Sequence, residues 1–226
     1  MTTARSVTIL VALVNATLAQ NPPTNGAAGR TSSSAVDNEY IRVTKVTQAP
    51  HQKTRPHQHN MNRVMIYLTP GTQVNDYQEG KKEVLNFKAG EPLWSAAGGI
   101  HVAEVTSDQP ITIVEMELRK PTGKDPSTML DPIKTDGRHY RLEFENSQVR
   151  VFRVRIGAHE SAPLHEHVLN RVAVYLTDQN LRVTDADGRA ETQTRHAGDI
   201  VWGEAVKHQE QNLSAEPFEA LVVELK

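Results

Sequence analysis

Two short histidine pairs, His57–His59 (His-Gln-His) and His165–His167 (His-Glu-His), carry the clearest chemical signal in the sequence. In an extended strand, side chains two residues apart project from the same face, so each pair directs two imidazoles to one point. Two imidazoles on one strand form half of a metal site and need further ligands from elsewhere. Downstream of each pair stands a histidine, His101 or His208, that can complete a set of three.

The histidine pairs belong to an internal repeat. His57 and His165 are 108 positions apart (165 − 57), and the same shift relates many unlike residues. The matched residues include Arg63/Arg171, Tyr67/Tyr175, Gly90/Gly198 and Trp94/Trp202. After the tryptophans the shift falls to 107 and relates the remaining pairs, His101/His208 and Glu117/Glu224. A single deletion accounts for the change, so the sequence predicts a duplicated structural unit.

The elements that must position these residues have the pattern of strands joined by turns. Residues 40–46, 149–156 and 221–225 alternate polar and apolar side chains, while residues 63–68 and 171–176 are apolar enough for buried strands. Gly-containing pairs such as Ala89-Gly90 and Ala197-Gly198 mark tight turns. No stretch has convincing helical periodicity. The pattern therefore predicts an all-β fold with a sandwich or barrel in each half.

Composition restricts the function. The chain has 226 residues, 38% of them hydrophobic and 23% charged, with a formal net charge of −2 and no long basic run. A nucleic-acid partner is not expected, because phosphate binding requires a concentrated cationic face. The sequence contains no cysteine, which excludes disulfides and thiolate catalysis.

The order of segments predicts an exported protein. Residues 1–19 have the charge, apolar centre and small-residue end of a cleavable signal peptide, and their apolar run is too short for a membrane span. Residues 20–37 have the Pro, Gly, Ser and Thr content of a disordered linker. We expect a first barrel at 38–120, a linker at 121–137 and a second barrel at 138–226. Periplasmic or secreted localisation follows from the signal peptide.

The paired motifs resemble the two-domain cupins, or bicupins. A cupin has a His-x-His followed by a Glu, and then a glycine-led segment that ends in His. Residues 57–59 with 90–101, and 165–167 with 198–208, match these segments in repeat register. The resemblance implies two tandem jelly-roll β-barrels, each with a central pocket. Cupin barrels also associate through exposed sheet edges, so the resemblance is compatible with a homodimer.

The departures from the cupin pattern reduce the ligand set. Arg63 and Arg171 stand where the family has its Glu ligand, and His51 and His159 stand where it has a glycine. The expected metal set is therefore three histidines per barrel: His57, His59 and His101, and then His165, His167 and His208. Three neutral imidazoles can hold a divalent transition metal such as Fe, Zn, Cu, Ni or Mn and leave positions open for a ligand.

The remaining candidate residues surround the predicted pockets. Without a carboxylate ligand, a bound ion keeps its double positive charge, which favours an anionic or chelating small molecule. Arg63 and Arg171 either pair with a carboxylate such as Glu104 or Glu210, or clamp a substrate carboxylate. Aromatic residues are candidates for the pocket wall, either as core residues or as ligand contacts: Tyr67, Tyr175, Trp94 and Trp202. The unpaired His139 and His196 are expected at the surface.

Three functions agree with this pattern. The first is a metal-dependent enzyme that acts on a small organic molecule, with a three-histidine dioxygenase as the nearest family analogy. The second is a bicupin that binds metal or a small ligand without turnover. The third is a degenerate structural bicupin whose histidines hold no metal.

Overall fold

The computed structural model describes residues 24–25 and 29–226. The predicted signal peptide, residues 1–19, lies outside these residues. Within the described part of the chain, no helix is long and apolar enough to cross a membrane.

The first half consists of ten strands, and its backbone contains no helix in residues 29–118. The strands are β1 (Thr24–Asn25), β2 (Arg30–Asp37), β3 (Ile41–Gln48), β4 (His57–His59), β5 (Arg63–Tyr67), β6 (Gly71–Tyr77), β7 (Lys82–Phe87), β8 (Glu91–Ser95), β9 (Gly98–Val105) and β10 (Ile111–Leu118).

The second half repeats this order after one short helix, α1 (Pro132–Thr135), which Asp131 caps by accepting a hydrogen bond from the Lys134 amide. Its strands are β11 (Tyr140–Glu145), β12 (Val149–Ile156), β13 (Ser161–His167), β14 (Arg171–Tyr175), β15 (Gln179–Asp185), β16 (Ala190–Arg195), β17 (Ile200–Gly203), β18 (Val206–Asn212) and β19 (Phe218–Leu225).

Each half folds into a barrel of two antiparallel sheets. In the first half, a sheet of order β1-β2-β3-β10-β5-β8 faces a sheet of order β4-β9-β6-β7. In the second half, the order β11-β12-β19-β14-β17 faces the order β13-β18-β15-β16. Each barrel has its own apolar cluster, around Met65 and Ile113 in the first and around Phe152 and Phe218 in the second. The predicted all-β architecture of two tandem jelly-roll barrels is confirmed.

A third apolar cluster joins the barrels. It contains Val64, Ile66 and Met116 from the first half and Val172 and Val223 from the second. These residues alternate along their strands with residues that face the barrel interiors, so the two larger sheets are covered on both faces. The apolar content of β5 and β14 follows from this double burial.

Polar contacts between the barrels repeat the duplication. Lys45 donates from Nζ to the carbonyl oxygen of Gly198, and Arg153 donates from Nη2 to the carbonyl oxygen of Gly90, at 3.1 and 2.7 Å. The two donors are 108 positions apart (153 − 45), and so are the two acceptors (198 − 90). In each bond the donor and the acceptor lie in different halves. The barrels are therefore related by an approximate two-fold arrangement.

The prediction of a disordered linker over residues 20–37 is wrong for residues 30–37, which form β2. This strand pairs along its length with β3, and Val36 is buried in the cluster between the barrels. The Ser and Thr residues of β2 suit a strand near the edge of the sheet, where only the two-residue β1 lies outside it. The apolar contact that holds β2 comes from elsewhere in the fold. β2 occupies the position in the first half that β11 occupies in the second.

Candidate metal centre

Strand pairing brings the three histidines of each set together. His57 lies directly opposite His101 across β4 and β9, and His165 lies opposite His208 across β13 and β18. His59 and His167 are two residues along the same strands, so their side chains project from the same face. The two-residue spacing therefore places both histidines of each pair on one face, as predicted. The third histidine comes from the neighbouring strand.

The two triads have nearly the same geometry. In each, one ring nitrogen per histidine lies within 4.8 Å of the others. Ring centroids are separated by 4.9, 4.5 and 5.4 Å in the first triad and by 5.1, 4.6 and 5.5 Å in the second. A metal held about 2.1 Å from each nitrogen places these atoms roughly 3.0–3.4 Å apart, so small side-chain shifts would complete a site.

In the first triad, two rings are oriented by backbone carbonyls. His57 donates from Nδ1 to the Arg55 carbonyl at 2.9 Å, and His101 donates from Nδ1 to the Gly99 carbonyl at 3.2 Å. A carbonyl only accepts, so both rings carry their proton on Nδ1 and keep the Nε2 lone pair for a ligand. Burial lowers the pKa of His101, which favours this neutral form.

Arg63 already engages the third ring of the first triad. Its Nη1 donates to His59 Nε2 at 2.9 Å, and its Nη2 donates to Ser95 Oγ at 2.9 Å. Burial, and then the charge of Arg63, lower the pKa of His59 to about 3. His59 is therefore a neutral acceptor at pH 7, but its Nε2 lone pair points at a guanidinium. A metal ion at this triad would have to displace Arg63.

A cavity of about 430 Å³ opens over the first triad. Its wall includes the three histidines, Arg63, Ser95 and Tyr67. Such a volume lies within the range of small-molecule pockets. Tyr67 borders this space but is only 2% exposed and stacks on Phe87, with ring centroids 3.7 Å apart. Its predicted position in the wall agrees with the structure, and most of its ring belongs to the core.

In the second triad, hydrogen bonds hold Nδ1 of both β13 histidines from outside. His165 donates from Nδ1 to the Pro163 carbonyl at 2.9 Å, and His167 donates from Nδ1 to Glu224 Oε1 at 2.8 Å. Burial lowers the pKa of His167 well below its usual value, so the ring is neutral at pH 7. The Nε2 atoms of both rings are thereby directed into the triad.

His208 completes this set and offers a nitrogen that no other group of the described chain occupies. Its Nε2 is buried and has no hydrogen-bond partner among residues 29–226. Burial lowers the pKa of His208 to about 4, so the ring stays neutral and its lone pair stays free. A buried polar atom without a partner is costly unless a ligand meets it. The donor set of the second triad therefore fits a divalent transition metal.

Glu224 connects the second triad to a buried ionic network. Beyond His167, its other oxygen lies 3.6 Å from Arg150, which also donates to Asp131. Burial raises the pKa of Glu224 to about 7. Sequence reasoning did not assign Glu224 to the site, although it recurs with Glu117 in the repeat and lies between Val223 and Leu225 on the apolar strand β19. These two features were the signal that it faces inward.

Tyr140 is a second unpredicted residue at this triad. Its buried hydroxyl lies 3.2 Å from His165 Nε2 and donates to Glu210 Oε2 at 2.8 Å. Because the single hydroxyl proton goes to Glu210, the lone pair of His165 Nε2 stays free. Burial, and then the charge of Glu210, raise the pKa of Tyr140 and keep the phenol protonated. This pair places a proton donor and an acceptor beside the triad.

Among the described residues, neither arginine forms an ion pair with the carboxylate that the sequence suggested for it. Glu104 does not pair with Arg63; it lies 3.5 Å from Lys53. Arg171 donates to the Glu204 carbonyl and its guanidinium lies over Gly203, where a Cβ atom would come within 3.0 Å of Arg171 Cζ. Glu210 contributes the largest favourable charge at Arg171, but its hydrogen bond goes to Tyr140.

Trp202 packs in the core and Trp94 lies at the cavity wall, as two of the expected positions allow. Trp202 lies opposite Val172 on β14, on the face that packs between the barrels, and it stacks on Tyr40 of the first half. Trp94 lies opposite Val64 in the same way, at the edge of the cavity, and is 36% exposed. Alternation along the strand turns both indoles away from the histidines. Tyr175 packs against the interior cluster of the second barrel.

Two barrels with a histidine triad inside each define the class: the chain has the fold of a two-domain cupin. AerE from Microcystis aeruginosa superposes with a TM-score of 0.67 at 14% identity, over 91% of this chain and 96% of that chain. Oxalate decarboxylase from Bacillus subtilis gives 0.64 at 12% identity, over 91% and 74% of the two chains.

A cupin 2 conserved barrel domain protein from Leptotrichia buccalis gives a TM-score of 0.55 at 12% identity, over 93% of this chain and 99% of that chain. The Bacillus subtilis oxalate decarboxylase has Mn(II) centres. At these identities the comparisons establish the fold. No protein-family model and no curated protein matches the sequence.

Proposed function

We propose that the protein is an exported bicupin that binds a divalent transition metal and acts on a small anionic or chelating organic molecule. The observation that carries this proposal is the second triad, in which His208 Nε2 is buried without a partner beside two neutral imidazoles. His165, His167 and His208 would hold the ion. When bound, the ion supplies a Lewis acid with open coordination positions for ligand oxygens.

The charge balance supports an anionic ligand. Three neutral imidazoles do not reduce the double charge of a divalent ion, and Arg171 lies nearby with its pKa lowered chiefly by burial. Glu210 and Tyr140 offer a proton acceptor and donor at the edge of the triad. The Bacillus subtilis neighbour decarboxylates oxalate, a small dicarboxylate. A ligand with two oxygens that chelate the ion is therefore the proposed substrate class.

Two reaction classes follow for such a ligand. The first is oxidation with dioxygen, since a three-ligand site leaves room for two further molecules. The second is decarboxylation, which the similarity to oxalate decarboxylase favours. A bicupin that binds metal or ligand without turnover, and a metal-free structural bicupin, are the alternatives that the experiments below separate.

Metal analysis tests the centre. We expect untagged protein incubated with Fe(II), Mn(II) or Zn(II) to retain about one ion per second-barrel triad after desalting. His165→Ala and His208→Ala should lose this ion, whereas His196→Ala should keep it, because that side chain is 72% exposed and lies outside the triads. Less than about one-tenth of an ion per wild-type chain would contradict the metal centre and favour the metal-free structural bicupin.

Turnover assays separate an enzyme from a binding protein. Dioxygen consumption and carbon dioxide release are measured with diketones, phenols, keto acids and oxalate, for each loaded metal. Activity that disappears in His165→Ala supports catalysis at the second triad. Activity that persists in this variant contradicts the proposal, and metal binding with no turnover across the panel favours the binding protein.

Export and assembly need their own measurements. We propose cleavage after Ala19, based on the small-residue end of residues 1–19, and periplasmic or secreted localisation. Amino-terminal sequencing of protein recovered from a bacterial periplasm tests the cleavage, and retention of residue 1 in the cytoplasm contradicts it.

A homodimer is proposed from the exposed sheet edges of the barrels, and light scattering at micromolar concentration checks it.

A further inference from the structure

Arg63 is a buried cation without a carboxylate partner. Its side chain is 7% exposed, and its two terminal nitrogens donate to His59 and Ser95, both uncharged. Its Nε is buried and has no hydrogen-bond partner in the part of the chain that the structure describes. Among the side chains of residues 29–226, no carboxylate oxygen lies within the 4.0 Å of an ion pair with Arg63. Burying such a charge is costly unless an anion meets it.

The nearest acids are paired with other cations. Glu115 and Glu117 on β10 attract Arg63 electrostatically without contacting it. Glu115 lies 3.4 Å from Arg30, and Glu117 lies 3.0 Å from Arg42. The charge of Arg63 is therefore compensated only at a distance, and its unpartnered donor remains.

The second barrel arranges the equivalent residue differently. Arg171 donates to the carbonyl oxygen of Glu204 and lies over Gly203. Among the described residues it makes no hydrogen bond to His167, although its charge contributes to the lowered pKa of that ring. In that barrel, Glu224 holds His167 through Nδ1 and its Nε2 points into the triad. In the first barrel, the arginine itself holds His59 through Nε2. The duplication has thus produced two triads whose middle histidines have different partners. Arg63 contacts His59 in the first barrel, and Glu224 contacts His167 in the second.

The space next to Arg63 suits a small ligand. The cavity over the first triad has a volume of about 430 Å³, and its wall includes His57 and His101 as well as Arg63. Within its wall, Glu115 is paired with Arg30 and Glu83 accepts a hydrogen bond from Tyr77. Glu79 is exposed and lies near Gly99. None of these acids contacts Arg63, which is the buried charge of the wall that a ligand can meet.

We propose that the first barrel binds a small carboxylate directly through Arg63, without a metal ion. A guanidinium presents a planar fork that matches the two oxygens of a carboxylate, and burial strengthens this pairing. The ligand provides the carboxylate contact that no side chain of residues 29–226 gives Arg63. Metal at this triad competes with Arg63 for His59 Nε2, so the carboxylate site and a first-barrel metal site exclude each other. The inference does not depend on the metal or the reaction proposed for the second barrel.

Calorimetric titration of metal-free protein with malonate tests the site. The full chain is treated with a chelator and titrated at pH 7.5 with malonate, and with malonamide as an uncharged molecule of the same skeleton. We expect malonate to bind and malonamide to bind at least tenfold more weakly. Arg63→Met should lower the malonate affinity at least tenfold, whereas Arg189→Met, which removes an 80% exposed charge outside the cavity wall, should leave it within about twofold. Arg171→Met is measured as well, to assign the ligand to one barrel or the other.

Several results would overturn the proposal. Equal binding of malonamide removes the role of charge, and unchanged binding in Arg63→Met removes the role of this residue. A loss in Arg171→Met alone moves the ligand to the second barrel, and binding that requires added metal rejects a metal-free site. If Arg63→Met does not fold, Arg63→Lys replaces it: this variant keeps the charge but loses the fork, and malonate affinity equal to wild type contradicts the proposed pairing. Zinc binding to the second triad, measured on the same Arg63 variants, stays intact and reports separately on the metal proposal.

Discussion

Glu224 Oε1 accepts a hydrogen bond from His167 Nδ1 at 2.8 Å, whereas its repeat partner Glu117 pairs with Arg42 and makes no hydrogen bond to His59 among the described residues. The carboxylate at this repeat position therefore orients His167 in the second barrel, whereas in the first barrel it forms an ion pair with Arg42. A carboxylate on Nδ1 fixes the tautomer and raises the basicity of Nε2, the atom directed into the triad. The second triad is thereby prepared for a metal ion in a way that the first is not.

Replacing Glu224 with glutamine should weaken metal binding at the second triad. The amide is isosteric but lacks the negative charge that supports His167, so we expect the affinity for Zn(II) to fall about 10- to 100-fold. Competition with a chromophoric chelator at pH 7.5 measures the change. Glu117→Gln is the matched control and should leave the affinity of the second triad unchanged. Equal losses in both variants would contradict a direct effect through His167.

The two histidines at the family's glycine position occupy left-handed backbone. His51 has φ 56° and His159 has φ 59°, a conformation that costs a side-chain-bearing residue about 1–2 kcal/mol. His51 also contacts the exposed Asp108, so His159 gives the cleaner test. We expect His159→Gly to raise the free energy of unfolding by about 0.5–1 kcal/mol, because relief of strain exceeds the added flexibility of the unfolded chain. Urea denaturation measures this value.

His159→Ala provides the control for that experiment, since alanine removes the imidazole but keeps the strain of a Cβ atom. It should leave stability within about 0.5 kcal/mol of wild type or lower it slightly. If alanine stabilises the protein as much as glycine does, the cost lies in the imidazole and the backbone explanation is wrong.

The shared cluster between the barrels should make them unfold together. Ile66 is fully buried among valines of both halves, and Ile66→Ala should cost about 2–5 kcal/mol. One tryptophan lies in each half. Fluorescence of Trp202→Phe follows the first barrel, and fluorescence of Trp94→Phe follows the second barrel together with the contact of Trp202 with Tyr40. We expect coincident urea transitions in both variants, and both should shift when Ile66→Ala is added.

Val84→Ala is the control for Ile66→Ala, because Val84 is 60% exposed on β7 and should change stability by less than about 0.5 kcal/mol. Two separated transitions, with only one of them sensitive to Ile66, would show that the barrels are independent folding units.

The sequence was sufficient to predict those features of the fold and site that are local to one strand or repeated in both halves. The two-residue period of His57 and His59 predicted a common face, and the repeat related His101 to His208 in the same role. The alternation of apolar residues predicted the strands and an all-β fold. Each of these inferences depends on the geometry of one strand or on comparison of the two halves, and both are visible in a single sequence.

Properties that depend on distant partners were not predictable. Residues 30–37 are polar, and their pairing with β3 and contact with the other barrel appear only in the fold. His139, expected at the surface, is buried because Asp136 and Glu160 bind its two ring nitrogens, whereas His196 is exposed as expected. The direction of Arg63 was left open by the sequence, because two orientations satisfy the same pattern and only the position of β5 relative to β4 decides between them.

Tyr67 should make stability depend on pH in the alkaline range. Burial, and then the charge of Glu115, raise its pKa from 10.0 to about 12. Because the folded state holds the phenolic proton more tightly, the stabilisation is complete below pH 10 and is lost as the pH rises from 10 to 12. Two pKa units correspond to about 2–3 kcal/mol. Urea denaturation at pH 9, 10.5 and 11.5 measures the loss, and absorbance at about 295 nm follows the ionisation. Tyr67→Phe should flatten this pH dependence, since the phenyl ring keeps the stacking on Phe87 and has no proton to lose; a slope equal to wild type would assign the alkaline loss to other groups.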